Sequence, residues 1–395
     1  VKDIDIKNKK VIMRVDFNVP LDKETNSKIT DTTRVDAAMP TIEYILSQGA
    51  SLILMSHLGR PKGEANPKYS LKPVYDYLKT KLPNNKVIFA NDCIGEEVKK
   101  TAGSLNAGDV LLLENLRYHA EEEKNDANFS KQLADLADVY VNDAFGTAHR
   151  AHASTAGIVA AKPSMPAVAG FLMEKEIKYL GDAVAEPKRP FVAIIGGAKV
   201  SSKISVLKSL LNKVDTLIVV GGMAYTFFKA KGYEIGTSLC EDDYIQTAKE
   251  IMDKAKELNK TLYLPIDNVV ADKFDNDANK KIVDCNAIPS GWMGMDVGDK
   301  TLKEIENILK SAKTIVWNGP LGVFEMSNFA KGTFETAKFI ANSGAVSIIG
   351  GGDSVSAVNK SGVADKMTHI STGGGASLEF LEGIELPGIK VLQDK

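Results

Sequence analysis

AVSIIGGGDS, Ala345 to Ser354, holds the pattern that decides the fold. A short strand-forming run ends in three glycines, and an acid and a hydroxyl follow at the start of a helical stretch. The same order recurs at Phe191-Val-Ala-Ile-Ile-Gly-Gly-Ala-Lys199, at Thr216–Val220 before Gly221-Gly-Met-Ala224, and at Thr314–Trp317 before Asn318-Gly-Pro-Leu-Gly322. Strand, glycine, helix is the junction of a βα unit, and its repetition predicts a parallel sheet with helices on both faces. Thr261–Leu264 adds another strand, and Gly373-Gly-Gly375 opens a helical stretch at Ala376–Leu381. Glycine lets backbone come close to an anion, and a helix start offers free N–H groups with partial positive charge. A tight turn explains one such junction. Several along one sheet edge point to a polyphosphate held by backbone.

The first half repeats the alternation with different punctuation. Strands are predicted at Val11–Val15, Ser51–Met55, Lys86–Phe89, Val110–Leu113 and Val139–Asn142, and helices at Ala37–Gln48, Lys72–Lys81 and Phe129–Leu136. Polar residues gather just beyond these strands, where ligands bind in open α/β sheets. Asp16 and Asn18 follow the first, His57 and Arg60 the second, Asn115 and Arg117 a later one, and Asn142 and Asp143 another. Ala167–Ala185 reads as one helix, ended by Pro187-Lys-Arg-Pro190, and is taken as the bridge between the halves.

Arginine is distributed unevenly. The chain has six arginines against forty-three lysines, and none follows Arg189. Lysine serves as the surface cation, so arginine is reserved for a planar, bidentate grip on phosphate or carboxylate. Arg14, inside a strand, reads as a structural salt bridge, and Arg189, between prolines, as structural. Arg34, Arg60, Arg117 and Arg150 lie in loops or past strand ends and read as anion contacts. His57 beside Arg60, and His149 and His152 around Arg150, extend a basic pocket. His119 and His369 have no such context. Lys199 and Lys203, four apart near a helix start, oppose the helix dipole and imply a compensating anion. Glu325 is either a partner for ribose hydroxyls or a solvated loop acid. Asp353 is either a helix N-cap or a handle for Mg²⁺.

At 395 residues, with a formal net charge of −2, the chain suits two domains and argues against a nucleic-acid partner. No apolar run approaches the ~18 residues of a membrane span. Three scattered cysteines, without a C-x-x-C or Cys/His metal pattern, suggest a reducing, cytoplasmic setting, and the charged start reads as lacking a signal peptide. Neither a Walker A motif nor G-x-G-x-x-G occurs. That weighs against a nicotinamide oxidoreductase. A non-catalytic two-lobed anion binder remains open, and it would have no use for a nucleotide site.

Taken together, the motifs resemble the phosphoglycerate kinase family. The matching stretches include Arg14-Val-Asp-Phe-Asn-Val-Pro20, Ser56-His-Leu-Gly-Arg-Pro61, Glu114-Asn-Leu-Arg-Tyr118, Asn142–Ser154, Gly196–Val200, Gly291-Trp-Met-Gly294, Trp317–Glu325, Gly350–Ser354 and Thr372–Gly375, in family order over nearly the whole chain. The resemblance implies two doubly wound, Rossmann-like parallel-sheet domains joined by a helix and closing about a hinge. Their spans are 1–166, a linking helix 167–186, 187–377, and a tail 378–395 returning to the first domain. It implies reversible phosphoryl transfer between 1,3-bisphosphoglycerate and MgADP, by a monomer. Asp16, Phe17, Asn18, Arg34, His57, Leu58, Gly59, Arg60, Arg117 and Arg150 would bind the phosphoglycerate. Lys203, Gly222, Gly294, Asn318, Glu325, Gly351, Gly352, Asp353 and Ser354 would bind nucleotide, with Asp353 on Mg²⁺. Arg34, Lys199, Gly374 and Gly375 would surround the moving phosphoryl group.

Overall fold

The computed structural model describes residues 1–394, apart from the side chain of Ala183. Two compact units emerge: Val1–Glu176 together with the segment from Glu385 onward, and Ile177–Ile384. The return to the first unit thus falls at Glu385 rather than Leu378, because Leu378–Leu381 completes a helix (Gly375–Leu381) that belongs to the second unit. Lys395, the end of the expected tail, lies outside the described residues.

The first unit is built on β1 (Lys10–Arg14), β2 (Ser51–Met55), β3 (Val87–Phe89), β4 (Val110–Leu112), β5 (Val139–Asn142) and β6 (Ala167–Ala169). They form one sheet in the order β3-β4-β2-β1-β5-β6, parallel throughout. Successive side chains of a strand face opposite ways, and here both faces are dry. Val11, Met13, Leu52, Leu54, Val139 and Val141 join one apolar cluster with the helices Thr33–Ser47 and Lys72–Lys81. Ile12, Ile53, Met55, Leu111 and Tyr140 join the other, with Glu96–Gly103 and Ala127–Ala134. Each aliphatic side chain so buried is worth about 1.5–3 kcal/mol, which is why these strands read as unbroken apolar runs.

β6 corrects the sequence reading. Ala167–Ala169 was expected to begin the linking helix; it pairs instead with β5, Tyr140 opposite Ala167 and Asn142 opposite Ala169. Alanine's helix propensity is a weak preference beside the unpaired edge of a buried strand. The helix starts at Phe171, where Asp143 Oδ1 accepts the free N–H groups of Leu172 and Met173. It continues through a π-helical stretch, Ile177–Asp182, to Ala185.

The second unit contains β7 (Phe191–Ile195), β8 (Thr216–Val219), β9 (Thr261–Tyr263), β10 (Asp267–Ala271), β11 (Lys280–Asp284), β12 (Met293–Val297), β13 (Thr314–Asn318), β14 (Val346–Gly350) and β15 (His369–Ile370). Its main sheet runs β15-β14-β13-β7-β8-β9, again parallel. A small antiparallel sheet, β11-β10-β12, accompanies it. The glycine junctions signalled the main sheet only.

Candidate functional site

In the first unit the polar residues sit beyond the carboxyl ends of β4, β2, β1 and β5, which the sheet places side by side in that order. Arg14 ends β1 and is wholly buried. Its Nε donates to Ser154 Oγ at 2.9 Å, Nη1 donates to the Val15 carbonyl, and Nη2 lies 2.9 Å from His57 Nδ1. The expected salt bridge is absent among the described residues. Glu122 acts through Ser154 instead, accepting its hydroxyl at 2.6 Å and its backbone N–H at 2.7 Å. A guanidinium has no acceptor atom, so its contact with His57 fixes Nδ1 as the bare nitrogen and puts the ring proton on Nε2.

The other arginines converge on the same place. Burial, then Arg14, Arg117 and Arg34, hold His57 well below the usual histidine range. Burial pushes His152 down to about 4, with Arg117, Arg14 and Arg150 adding to the effect. Arg117 in turn feels Arg14 and Arg60. The charges of five arginines therefore reach His57, His152 or Arg117 at this sheet edge. Two carboxylates temper them: Arg117 Nε is 3.2 Å from Glu123, and Arg34 Nη1 is 3.5 Å from Asp16 and also donates to the Asn18 carbonyl. Such a concentration of positive charge on desolvated walls attracts anions.

Asn18 ties two of these loops together, its Oδ1 accepting the Gly59 N–H at 2.8 Å. Gly59 has φ +61°, and a Cβ there would fall 2.5 Å from the Tyr69 ring. Phe17 and Leu58 are core residues, so only their backbone faces the pocket side of the sheet edge. His149 and His152 each have a buried Nδ1, and Arg60 and Arg150 are exposed.

The second unit holds two adjoining cavities at the carboxyl ends of its strands. One, of about 320 Å³, is lined by Gly196, Gly197, Lys203, Asn318–Pro320, Gly351–Asp353, Gly374, Gly375 and Leu378. The other, of about 610 Å³, shares Gly197, Pro320 and Asp353 with it, and continues as a mainly apolar slot past Gly222, Tyr225, Leu239, Phe274, Met293, Gly294, Val323 and Glu325. Leu239 and Phe274, exposed by 60% and 62%, form its rim. A small glycine-walled cavity beside a flat apolar slot suits phosphates at one end and a planar base at the other.

Side chains here mostly shape backbone. Lys203 Nζ donates to Asn318 Oδ1 at 2.6 Å, while buried Asn318 Nδ2 lacks a protein partner. The glycines are needed for space: a Cβ on Gly294 would lie 2.0 Å from the Tyr225 ring, and one on Gly319 would lie 2.2 Å from the Gly196 carbonyl. Ser354 is buried, and its hydroxyl accepts the Gly319 N–H at 2.7 Å; it braces the loop and is closed to a ligand.

Two details differ from the sequence reading. The helix after β7 starts at Ile204, following a turn in which the Lys203 N–H donates to the Val200 carbonyl. Lys199 and Lys203 therefore share no helical face, and Lys199 is exposed outside both cavity linings. Asp353 is not the helix cap either: Gly351, at φ +84°, caps Gly352–Lys360, and Asp353 stands exposed in the first turn, lining both cavities. The apolar slot escaped the sequence reading. Tyr225, Leu239 and Phe274 belong to no motif, and Met293, although inside the Gly291–Gly294 stretch, comes from the unforeseen antiparallel sheet.

With that geometry in hand, likeness to known proteins is informative. The sequence model of the family described as "Phosphoglycerate kinase" matches residues 1–384. A "Phosphoglycerate kinase" of Clostridium botulinum is 58% identical over 397 residues, covering 100% of this chain and 98% of its own. "Phosphoglycerate kinase 3, cytosolic" of Arabidopsis thaliana is also 58% identical, with the same coverage. The solved phosphoglycerate kinase of Coxiella burnetii matches with a TM-score of 0.90 at 42% identity, over 99% of this chain and 97% of that one. That of Pyrococcus horikoshii gives 0.82 at 34% identity, over 100% and 98%. The chain belongs to the phosphoglycerate kinase family, enzymes that transfer a phosphoryl group to and from the carboxyl group of 3-phosphoglycerate.

Proposed function

We propose that the arginine-rich edge of the first unit holds the phosphoglycerate and that the glycine-walled cavities of the second hold ADP or ATP. Asp16, Asn18, Arg34, His57, Arg60, Arg117 and Arg150 bind the acid, with backbone of Phe17, Leu58 and Gly59. Lys203, Gly222, Gly294, Asn318, Glu325 and Gly351–Asp353 bind the nucleotide, with Ser354 bracing the loop. Arg34, Lys199 and the amides of Gly374 and Gly375 surround the phosphoryl group in transit. The observation that supports this reading is the concentration of arginines on His57 and His152, a charge density that Asp16, Glu122 and Glu123 offset only in part.

The chemistry asks little covalent help. The attacking oxygen is already ionised, so in-line placement and neutralised phosphate oxygens supply the acceleration. Two anionic substrates repel, and binding each on its own unit, followed by hinge closure, overcomes that and excludes water. Asp353 fits Mg²⁺: it is the one carboxylate in the lining of the smaller cavity, and Mg²⁺ takes one or two carboxylates plus substrate phosphates and water. When bound, the ion neutralises charge on those phosphates. A monomer in the cytoplasm completes the reading, to be checked by light scattering and cell fractionation.

The test mixes protein, MgATP and 3-phosphoglycerate, and traps acyl phosphate with hydroxylamine. Hydroxamate that requires all three components is the expected result. Product without phosphoglycerate would defeat the substrate assignment.

A further inference from the structure

The sequence has no run of metal ligands, and His119 stands there without context, yet the fold of the first unit gives it one. β3 and β4 are parallel neighbours, so the segments leaving their carboxyl ends meet. Asp92 and Cys93 lie in the segment after β3, and His119 follows the short turn Leu116–Tyr118 after β4. One potential ligand atom from each of Asp92, Cys93 and His119 lies within 4.8 Å of the other two. Asp92 Oδ1 accepts from His119 Nε2 at 2.7 Å and from the Cys93 backbone N–H at 2.7 Å.

The surroundings suit a cation. Cys93 is fully buried, whereas the side chains of Asp92 and His119 are 48% and 27% exposed, so an ion can approach from the carboxylate side toward a shielded sulfur. The His119 ring is held against Phe129, centroids 5.5 Å apart. Glu96 and Glu97 line a cavity of about 210 Å³ with Asp92.

We infer that Asp92, Cys93 and His119 form a binding site for a divalent cation of borderline softness, zinc by ligand chemistry, with water as fourth ligand. One sulfur, one nitrogen and one oxygen suit Zn²⁺ and disfavour the oxygen-seeking Mg²⁺ and Ca²⁺. Tetrahedral zinc sets its sulfur and nitrogen ligands roughly 3.5 Å apart, within reach of small side-chain rotations here. Charge also balances. A thiol, a carboxylate and an imidazolium sum to zero, and so do Zn²⁺, a thiolate, a carboxylate and a neutral imidazole, the two released protons carrying away the charge that the ion brings. On binding, the S–H bond breaks as Zn–S forms, and its proton passes to buffer. A second proton leaves from Nε2 where the imidazole is charged, and no electrons move.

The experiment uses the full chain, freed of metal by chelator and titrated with Co²⁺, then Zn²⁺. A near-ultraviolet thiolate-to-cobalt band should appear with one equivalent and be bleached by Zn²⁺. It should persist in the Cys240→Ser/Cys285→Ser double variant, vanish in Cys93→Ser, and show at least about tenfold weaker binding in His119→Gln. Zn²⁺ should raise the melting temperature of the wild type but not of His119→Gln. Absence of the band, its survival in Cys93→Ser, its loss in the double variant, or unchanged affinity in His119→Gln would each overturn the proposal. Should Cys93→Ser fail to fold, His119→Gln decides, since that side chain is partly exposed.

Discussion

On the proposed reading the two sheet edges would each hold an anion, with opposite materials. In the first unit five arginines and two histidines come together as side chains on a rigid rim. In the second, glycine backbone makes the wall, and side chains such as Ser354 and Asn318 hold that backbone in place. On that reading the difference follows from what each surface would meet. A small triose acid offers carboxylate and phosphate oxygens that planar guanidinium forks can grip two at a time. A nucleotide brings a chain of phosphates and a flat base, which need close backbone approach and an apolar slot.

Substitutions break this contrast in different currencies. The largest expected effect is in Arg34→Ala, which should lower kcat by about 10² or more, the scale of losing one transition-state donor. Arg34→Lys should recover little of it, because a point charge cannot replace a fork. Steady-state kinetics showing unchanged turnover and only weaker phosphoglycerate binding would remove Arg34 from the transfer step. Next comes Gly294→Ala. Its Cβ would overlap the Tyr225 ring, so either the ring or β12 must yield, at a cost of about 1–3 kcal/mol. Nucleotide KM should rise roughly tenfold or more, while phosphoglycerate KM stays put. Equal rises in both would mean the damage spreads beyond the slot. Asp353→Ala should raise the nucleotide KM in a way that varies with Mg²⁺ concentration; a uniform change across a Mg²⁺ titration would remove the metal from Asp353.

Much of this was legible in the sequence, and the limits are physical. Strand-glycine-helix order marks the parallel sheets because each junction is local: a buried strand, a turn and a helix start lie within ten residues, as at Phe191–Lys199. Arginines were readable as a set because they are rare. What could not be read depends on contacts between distant segments. Ala167–Ala169 looks helical until β5 offers it an edge. Arg14 looks like half of a salt bridge until Ser154 stands between it and Glu122. The base-sized slot draws Leu239, Phe274 and Met293 from three separate segments, and Asp92 meets His119 across a sequence separation of 27.

The smallest expected effect concerns pH, and it has opposite signs on the two sides. Burial, with Arg117, Arg14 and Arg150, pushes His152 down to about 4, against an unfolded value near 6.5. Between those values the unfolded chain takes up a proton that the folded chain refuses. The stability contributed by neutral His152 is therefore complete above about pH 6.5 and is lost as pH falls toward 4. In the second unit, burial pushes Asp296 up to about 7, although the N–H groups of Gly332 and Val297 favour its charged form. There the folded chain holds a proton that the unfolded chain has released, so acidification from about pH 7 toward 4 favours the folded state. Asp143 in the first unit, pushed up to about 6 by burial, opposes His152, so variants rather than the wild-type curve carry the test. His152→Asn should flatten the acid-side loss by about 1 kcal/mol in urea unfolding at pH 5 against pH 7.5, allowing for solvent near the ring. Asp296→Asn should remove a gain of the opposite sign. The two slopes moving in the same direction would mean that these groups do not titrate as their burial requires.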